Sequence, residues 1–260
     1  MTALSATVEG IGFWTRGMPG WDAARAFVQT GARIDDAPSR PSPQLLAPNE
    51  RRRAPDTVAV ALDVALAACA MAGRDPASLP SVFASTHGDL TITDYICATL
   101  ASAPATVSPI RFHNSVHNAA AGYWTIGAGA TRASTAISAF DASFAQGLLD
   151  ALAQISAGAE GVLLVGFDGA SAGPLAQVSQ SSGLLGGALV LARDAKPGAP
   201  RLRATLADGE PDLGGALATV ASGNAMAPML PLFETLAGAR AQARLLAGPG
   251  RVLQVEVIDV

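Results

Sequence analysis

The chain has 260 residues, of which 50% are hydrophobic and only 15% are charged. Such a chain can bury a large core, and its small share of polar residues predicts that part of its surface is covered by a partner. The net charge of −4 argues against a nucleic-acid-binding protein. No apolar run is long enough for a membrane span, and the N-terminus lacks the pattern of a signal peptide, so we expect a cytoplasmic protein.

The predicted elements alternate between strands and helices in the first two thirds of the chain. A first strand over residues 2–14 and a short helix over 23–29 precede a proline-rich arm, residues 35–53, which ends in Arg51, Arg52 and Arg53. Apolar side chains at helical spacing over residues 56–72, followed by Gly73, predict a helix that ends there. The remaining strands are expected over 81–85, 136–140, 161–166, 184–191, 202–206 and 251–258, and the remaining helices over 91–101, 114–127 and 230–246. This alternation predicts an α/β fold with a mostly parallel sheet.

The segment from Ser134 to Leu152 joins a strand to a helix without an intervening proline or glycine. Asp141 lies at the junction, where the first N–H groups of the helix are unpaired and the helix dipole favours a negative charge. The same position suits a nucleophile and a helix-capping aspartate, and the sequence leaves both interpretations open.

Several segments, taken in order, resemble the N-terminal half of the β-ketoacyl synthases of the thiolase fold. They are Arg51 to Pro55 with the helix that follows, Ser81 to Leu90, Ser108 to Gly122, Ser134 to Ala151 and Glu160 to Gly169. The resemblance covers roughly residues 50–192. It implies a thiolase-like half with a mixed, mostly parallel five-stranded sheet covered by helices. We therefore predict a ketosynthase-like domain over residues 1–192 and a short C-terminal extension, residues 193–260, that packs on the same core.

The chain departs from this family at two points that matter for catalysis. The register of the resemblance places Asp141 where the family has its nucleophilic cysteine, and a carboxylate cannot accept an acyl group to give a stable thioester. The family's catalytic histidines lie in its C-terminal half, whereas no histidine follows Ala192 here. These departures imply that the chain alone is not a condensing enzyme, and no catalytic residue is assigned.

Inactive relatives of this family are chain-length factors, such as those of aryl polyene and related type II fatty-acid-like pathways. The resemblance implies a heterodimer with a catalytic ketosynthase. In such a dimer the strand before Asp141 pairs across the two-fold axis, and nearby residues close the acyl pocket. The resemblance also implies that an acyl carrier protein binds indirectly, through that partner, and it implies no cofactor. The candidates for the partner contact or the pocket are Phe140, Asp141, Ser143, Phe144, His113, His117 and Asn118. The candidates for carrier binding are Arg51, Arg52 and Arg53.

Other interpretations of these residues remain open at the level of sequence. The chain could be an acyl-thioester hydrolase or decarboxylase that uses His113, His117 or Asp141, or a homodimer that binds acyl carriers through its three consecutive arginines. The four-residue spacing of His113 and His117 fits a metal site, but no third ligand lies close in sequence, so we expect no metal. A triad of Ser143, His113 and Asp141 is conceivable, although the local sequence lacks the usual nucleophile motif.

Overall fold

The computed structural model describes residues 3–258, which contain eight strands and nine α-helices. The strands are β1 Leu4–Thr15, β2 Ser81–Ala84, β3 Ser134–Ile137, β4 Gly161–Asp168, β5 Leu185–Ala192, β6 Arg201–Asp208, β7 Gln242–Gly248 and β8 Arg251–Ile258. The helices are α1 Trp21–Thr30, α2 Pro48–Arg53, α3 Asp56–Ala72, α4 Leu90–Ser102, α5 Pro109–Asn114, α6 Ala119–Ala128, α7 Ser143–Ser156, α8 Ala218–Ala221 and α9 Leu230–Leu236. Among these residues, no helix is both long and apolar enough to cross a membrane.

All eight strands form one mixed sheet in the order β3-β2-β4-β5-β1-β6-β8-β7. This confirms the expected α/β fold with a mixed sheet between helices. The expectation of five mostly parallel strands is wrong, because only the pairings of β2 with β3 and β4 are parallel and the other pairings are antiparallel. The alternation of strands and helices along a sequence indicates crossover connections, but it does not show which strands become neighbours in the sheet.

Helix α3 agrees with its sequence prediction over its whole length. Gly73 ends it in the left-handed conformation (φ 67°), in which its N–H bonds to the carbonyl of Ala70. The helix lies directly on β1, where Gly10 and Gly12 face the carbonyl oxygens of Ala68 and Val64. The absence of side chains at these two glycines allows helix and strand backbones to touch.

Two other helix predictions are wrong in length. The helix expected over residues 114–127 begins only at Ala119, as α6, and Pro109 with the capping Ser108 starts a separate short helix, α5, that ends at Asn114. The helix expected over residues 230–246 ends at Leu236, since the chain reverses at Gly238 (φ 88°) and continues as β7. The strand expected over residues 251–258 forms as β8 and pairs with both β6 and β7.

The sheet buries one apolar cluster on each face. Helices α3 and α6 cover one face, around Trp124 and Phe83. Helix α7 covers the other face together with α9, and there Phe144 lies against Phe233 with ring centroids 6.1 Å apart. Strands β6 to β8 extend this sheet and contribute Leu202 and Leu245 to the second cluster. The division of the chain at residue 192 stays a prediction.

At its last strand, β7, the outer edge of the sheet is partly covered. The backbone N–H of Asp212 donates to the carbonyl of Arg244 (2.9 Å), and the Asp212 carboxylate accepts the N–H of Arg244 (2.8 Å). Asp212 also forms ion pairs with Arg240 and Arg244. These contacts hold the segment around residue 212 against the strand.

The two cysteines are expected to differ in reactivity. Burial raises the pKa of the Cys69 thiol in α3 to about 12, whereas Cys97 in α4 is exposed. Since the thiolate is the reactive form, iodoacetamide at mildly alkaline pH should modify Cys97 at least about tenfold faster than Cys69. Peptide mass spectrometry over time measures both rates, and unfolding in guanidinium chloride should remove the difference. Equal rates in the folded chain would contradict the burial of Cys69.

Candidate functional site

A sharp elbow connects β3 to α7. Phe140 has a positive φ of 51°, the only such value at a non-glycine residue among residues 3–258, and a bulky side chain adopts this conformation only under constraint. The hydroxyl of Ser143 supplies the constraint, because it donates to the carbonyl of Phe140 (2.6 Å) and accepts the N–H of Ala139 (2.9 Å). The buried Ser143 therefore holds the elbow in place.

Asp141 lies at the tip of this elbow and is exposed. The capping interpretation of Asp141 is wrong, because Ala142 occupies the N-cap position and α7 has no side-chain capping hydrogen bond. The Asp141 side chain instead borders a cavity of about 370 Å³. Its carboxylate is thus presented to this cavity.

The cavity beside Asp141 is closed by segments late in the chain. Its other lining residues are Gln180, Pro211, Asp212, Leu213, Gly214, Ala218, Ser222, Gly223, Asn224, Ala225, Ala227, Pro228, Pro231 and Leu246. This lining contains neither a histidine nor a cysteine. The cavity therefore offers Asp141 no imidazole for proton transfer and no thiol to accept an acyl group. Sequence reasoning did not identify these lining residues, since most lie in loops without a recognisable pattern.

The three histidines are held by separate contacts. His113 is exposed and stacks edge-on against Tyr123, with ring centroids 5.8 Å apart, beside a different cavity. Nε2 of His117 hydrogen-bonds the carbonyl of Ser85 (2.8 Å), and Nε2 of His87 hydrogen-bonds the hydroxyl of Ser179. Asn118 is exposed at the start of α6 and does not cap it.

These positions bear on the other chemistries that the sequence left open. The hydroxyl of Ser143 is used within the elbow, and His113 borders another cavity than Asp141, so a hydrolase triad is not assembled. Within the part of the chain that the structure describes, no group of three or more His, Cys, Asp or Glu residues is arranged to hold a metal ion.

Asp168 is a structural support of the elbow that sequence reasoning missed. Its buried carboxylate accepts the Ser85 hydroxyl (2.6 Å) and the N–H groups of Thr86 (2.9 Å) and His87 (3.4 Å). Desolvation by burial raises the pKa of Asp168, and the bonds from Ser85 and Thr86 oppose that rise. The turn after β2 is therefore fixed to the end of β4.

The same turn contacts the elbow. The hydroxyl of Thr86 donates to the carbonyl of Phe140 (3.3 Å), and the hydroxyl of Ser138 donates to the carbonyl of Thr86 (3.0 Å). Asp168 thus supports the strained residue Phe140 through one intermediate residue. The only sequence feature that could have indicated this supporting role is an aspartate at the end of an apolar strand, and such an aspartate is equally typical of a turn.

The aromatic candidates at the elbow separate into one core residue and one surface residue. Phe144 is buried and packs near Phe233 and Gly166, so it belongs to the core. Phe140 is 79% exposed, an unusual state for a large apolar side chain in a constrained turn. Phe140 is therefore available for contact with another molecule.

Within residues 3–258, strand β3 forms the first edge of the sheet and pairs only with β2. The carbonyls of Ala133 and Ile137 accept N–H groups from the β2 side. Because alternate residues of a strand direct their backbone groups to opposite sides, Ser134 and Ala136 direct theirs away from the sheet. Both residues are exposed, so this edge is open to pairing with a further strand.

The three consecutive arginines lie in α2, not in an extended arm. Arg51 donates to the carbonyl of Leu46 (2.9 Å), and Arg52 hydrogen-bonds Asn49. Arg53 is exposed and borders two cavities. The side chains of Arg52 and Arg53 are the accessible ones of the three.

The parallel strands β3, β2 and β4, with an elbow that leads into α7, define the N-terminal half of a thiolase-like fold. Residues 23–228 match the family model of the β-ketoacyl synthase N-terminal domain. The chain belongs to the β-ketoacyl synthase family.

Solved structures extend the likeness to nearly the whole chain. A structure of a ketosynthase in complex with its chain length factor from Xenorhabdus doucetiae has a TM-score of 0.77 at 24% identity, covering 97% of this chain and 99% of the other. The ishigamide ketosynthase/chain length factor has a TM-score of 0.74 at 16% identity, covering 98% and 99%. At such identities the likeness shows the fold. No curated protein matches the chain.

Proposed function

We propose that this chain is a non-catalytic, ketosynthase-like subunit of the chain-length-factor type. It pairs with a catalytic β-ketoacyl synthase and shapes the acyl pocket of that enzyme. One observation carries the proposal: the elbow presents the carboxylate of Asp141 to a cavity whose lining has no histidine. The resemblance to the family places its nucleophilic thiol at this same position. The elbow is retained as a shaped surface, and the groups that condensation needs are absent from it.

The edge of the sheet supports the pairing. Strand β3 leaves the backbone groups of Ser134 and Ala136 unpaired at the surface, and the exposed Phe140 follows directly. In the family, the strand before the elbow pairs across the two-fold axis of the dimer. A partner strand here would form hydrogen bonds with the backbone groups of the open edge and would also bury apolar surface. The similar solved structures include a ketosynthase in complex with its chain length factor, which supports a paired assembly as part of this proposal.

A proline in β3 tests this interface. Ala136→Pro removes an N–H that points away from β2, so the sheet within the chain should remain intact while pairing with a partner strand is disrupted. We expect at least about a hundredfold weaker binding to the catalytic ketosynthase, from a lost hydrogen bond and a steric clash. Co-expression followed by gel filtration and titration of the purified subunits measures it.

Gln242→Pro is the matched control, because it places the same residue in an outward position of β7 at the other edge. It should leave complex formation within about twofold of the unsubstituted chain, a difference below about 0.5 kcal/mol. Equal binding by Ala136→Pro and Gln242→Pro would show that β3 is not the interface. A stable chain that binds no ketosynthase from its own gene neighbourhood would overturn the proposed function.

The purified chain alone is expected to have no activity on acyl or malonyl carrier thioesters. The physical reason is that the cavity beside Asp141 pairs this carboxylate with neither a thiol nor an imidazole. Release of free carrier from each thioester, followed by mass spectrometry, measures turnover. Turnover that disappears in Asp141→Asn or His113→Ala would instead favour a hydrolase or decarboxylase. Turnover that survives both of these variants and also His117→Ala would point to a contaminating enzyme.

Carrier binding by the arginines of α2 is a further part of the proposal. The exposed Arg52 and Arg53 lie at the end of α2 and can face the acidic surface of a carrier that is bound to the partner. Such contacts contribute chiefly to association and weaken with salt.

A further inference from the structure

A partly buried ionic network connects helix α9 to strand β7. Glu234 in α9 is only 1% exposed, and its carboxylate accepts the N–H of Leu217 (2.9 Å) and pairs with Arg240 (2.8 Å). Arg240 also pairs with Asp212 (3.4 Å), which pairs in turn with Arg244 (3.1 Å). A carboxylate buried so deeply is costly unless it is paired, so Arg240 is fixed between Glu234 and Asp212. Nothing in the proposed pairing function uses this network.

The chain between β6 and α8 crosses this network without regular structure. Residues 209–215 form neither a helix nor a strand. Within the described part of the chain, residues 210–214 make hydrogen bonds and ion pairs only through Asp212. The side chain of Leu213 is 92% exposed, so it adds no buried apolar contact. One aspartate therefore anchors the whole segment to β7.

Glycines lie at both ends of this segment. Gly209 has a φ of 149° and Gly214 a φ of 25°, and both values suit glycine better than residues with a side chain. Leu217, shortly after Gly214, is fully buried, so the chain is fixed again at that point. A segment that is anchored at its ends and passes through glycines near both of them can turn as a unit.

The same segment forms part of the wall of the cavity beside Asp141. Residues 211–214 line this cavity together with Asp141 and Leu246. Leu246 follows Arg244 by two residues on β7, so their side chains lie on the same face of the sheet. The arginine that holds Asp212 and a residue that borders the cavity are therefore neighbours.

We propose that residues 210–214 form a lid on the cavity beside Asp141 and that Arg240 holds this lid closed. While the ion pairs of Asp212 are intact, the lid is a wall of the cavity. When they break, the lid turns about Gly209 and Gly214 and opens the cavity to solvent. The whole network lies within one chain, so the lid operates with or without a partner subunit.

A reporter cysteine in the cavity tests the lid. Leu246→Cys is combined with Cys97→Ser, which removes the exposed thiol, while the buried Cys69 reacts slowly. Iodoacetamide modifies the reporter when the cavity is open, and mass spectrometry over time gives the rate. With the lid intact, the reporter should react at least about tenfold more slowly than in guanidinium chloride.

Two variants should release the lid. Asp212→Ala should raise the reporter's rate about tenfold, because it removes charge-assisted contacts and leaves Glu234 paired with Arg240. Arg240→Gln should raise the rate at least as much, but it also leaves Glu234 buried without a partner charge. Asp212→Ala therefore decides the test if Arg240→Gln does not fold. Arg203→Gln is the matched control, since it breaks the ion pair with Glu256 outside the lid and should leave the rate within about twofold.

Hydrogen exchange distinguishes opening of the lid from loosening of the sheet. In Asp212→Ala, the N–H of Arg244 loses its carboxylate acceptor and should exchange about tenfold faster, whereas the N–H groups of β8 should exchange as before. Equal acceleration in β8 would overturn the proposal. The same holds for a reporter that reacts as fast with the lid intact as in guanidinium chloride, or equally fast in Asp212→Ala and Arg203→Gln. No ketosynthase is present, so the result is independent of the pairing function.

Discussion

Asp168→Ala is expected to lower the free energy of unfolding by about 3 kcal/mol at neutral pH. The substitution leaves the hydroxyl of Ser85 and the N–H groups of Thr86 and His87 without their buried acceptor. It also removes the link between β4 and the turn that supports Phe140, so affinity for the partner should fall as well. Urea denaturation followed by circular dichroism measures the stability of the variant and of the unsubstituted chain.

The same carboxyl group predicts a dependence on pH. Because burial raises the pKa of Asp168 above 3.8, the folded chain holds this proton more tightly than the unfolded chain. The stabilisation from this linkage is complete below pH 3.8 and is lost as the pH rises through the higher pKa of the folded state. The loss caused by Asp168→Ala should therefore be larger in acid than at neutral pH.

Asp194→Ala is the control for this substitution. The Asp194 side chain is 82% exposed, and its only ion pair is with its neighbour Arg193 among the described residues. Its removal should change stability by no more than about 0.5 kcal/mol at either pH. If Asp168→Ala were as stable as Asp194→Ala, the buried network would not support the fold.

Gly12→Ala is expected to cost about 3 kcal/mol or more. A Cβ atom at this position would overlap the backbone carbonyl of Val64, and Gly10 faces Ala68 in the same way one turn further along α3. A backbone carbonyl cannot move aside as a flexible side chain can, so β1 and α3 would have to separate. Both elements lie at the centre of the fold, and thermal or urea unfolding should show the loss directly.

Gly122→Ala provides the opposite result for the same chemical change. Gly122 lies in α6 with no atom within 4 Å of an added Cβ. Alanine should stabilise the helix there by about 0.5 to 1 kcal/mol. If Gly12→Ala were no less stable than the unsubstituted chain, the close contact between β1 and α3 would not exist in solution.

The features that could be read from the sequence are those fixed by local patterns. The helix from Asp56 to Ala72 carries a strong apolar repeat and a glycine stop, and the structure gives the same bounds. The helix predicted over residues 230–246 is wrong in its second half, because the apolar residues there, Ala243, Leu245 and Leu246, fit a strand as well as a helix. In the structure the chain reverses at Gly238 and continues as a strand, and the sequence prediction did not take this glycine into account.

Of the candidate site, the position of Asp141 could be predicted from the sequence, whereas the residues that support the elbow could not. Asp141 was placed at the elbow from sequence register, and the structure puts it at the tip of that turn. Ser143 as the residue that holds the elbow, and Asp168 as its support, depend on contacts between segments far apart in the chain. No local pattern encodes such contacts, and an aspartate after an apolar strand more often lies in a turn.

The difference between the two edges of the sheet limits how large an assembly can grow. One edge, β3, is open, whereas the middle of β7 is already occupied by residue 212 of the same chain. Strand addition to this chain is therefore favoured on the β3 flank, where a single neighbour fits, and hindered on the β7 flank. Growth by strand addition should therefore terminate at two subunits and not propagate into a fibre.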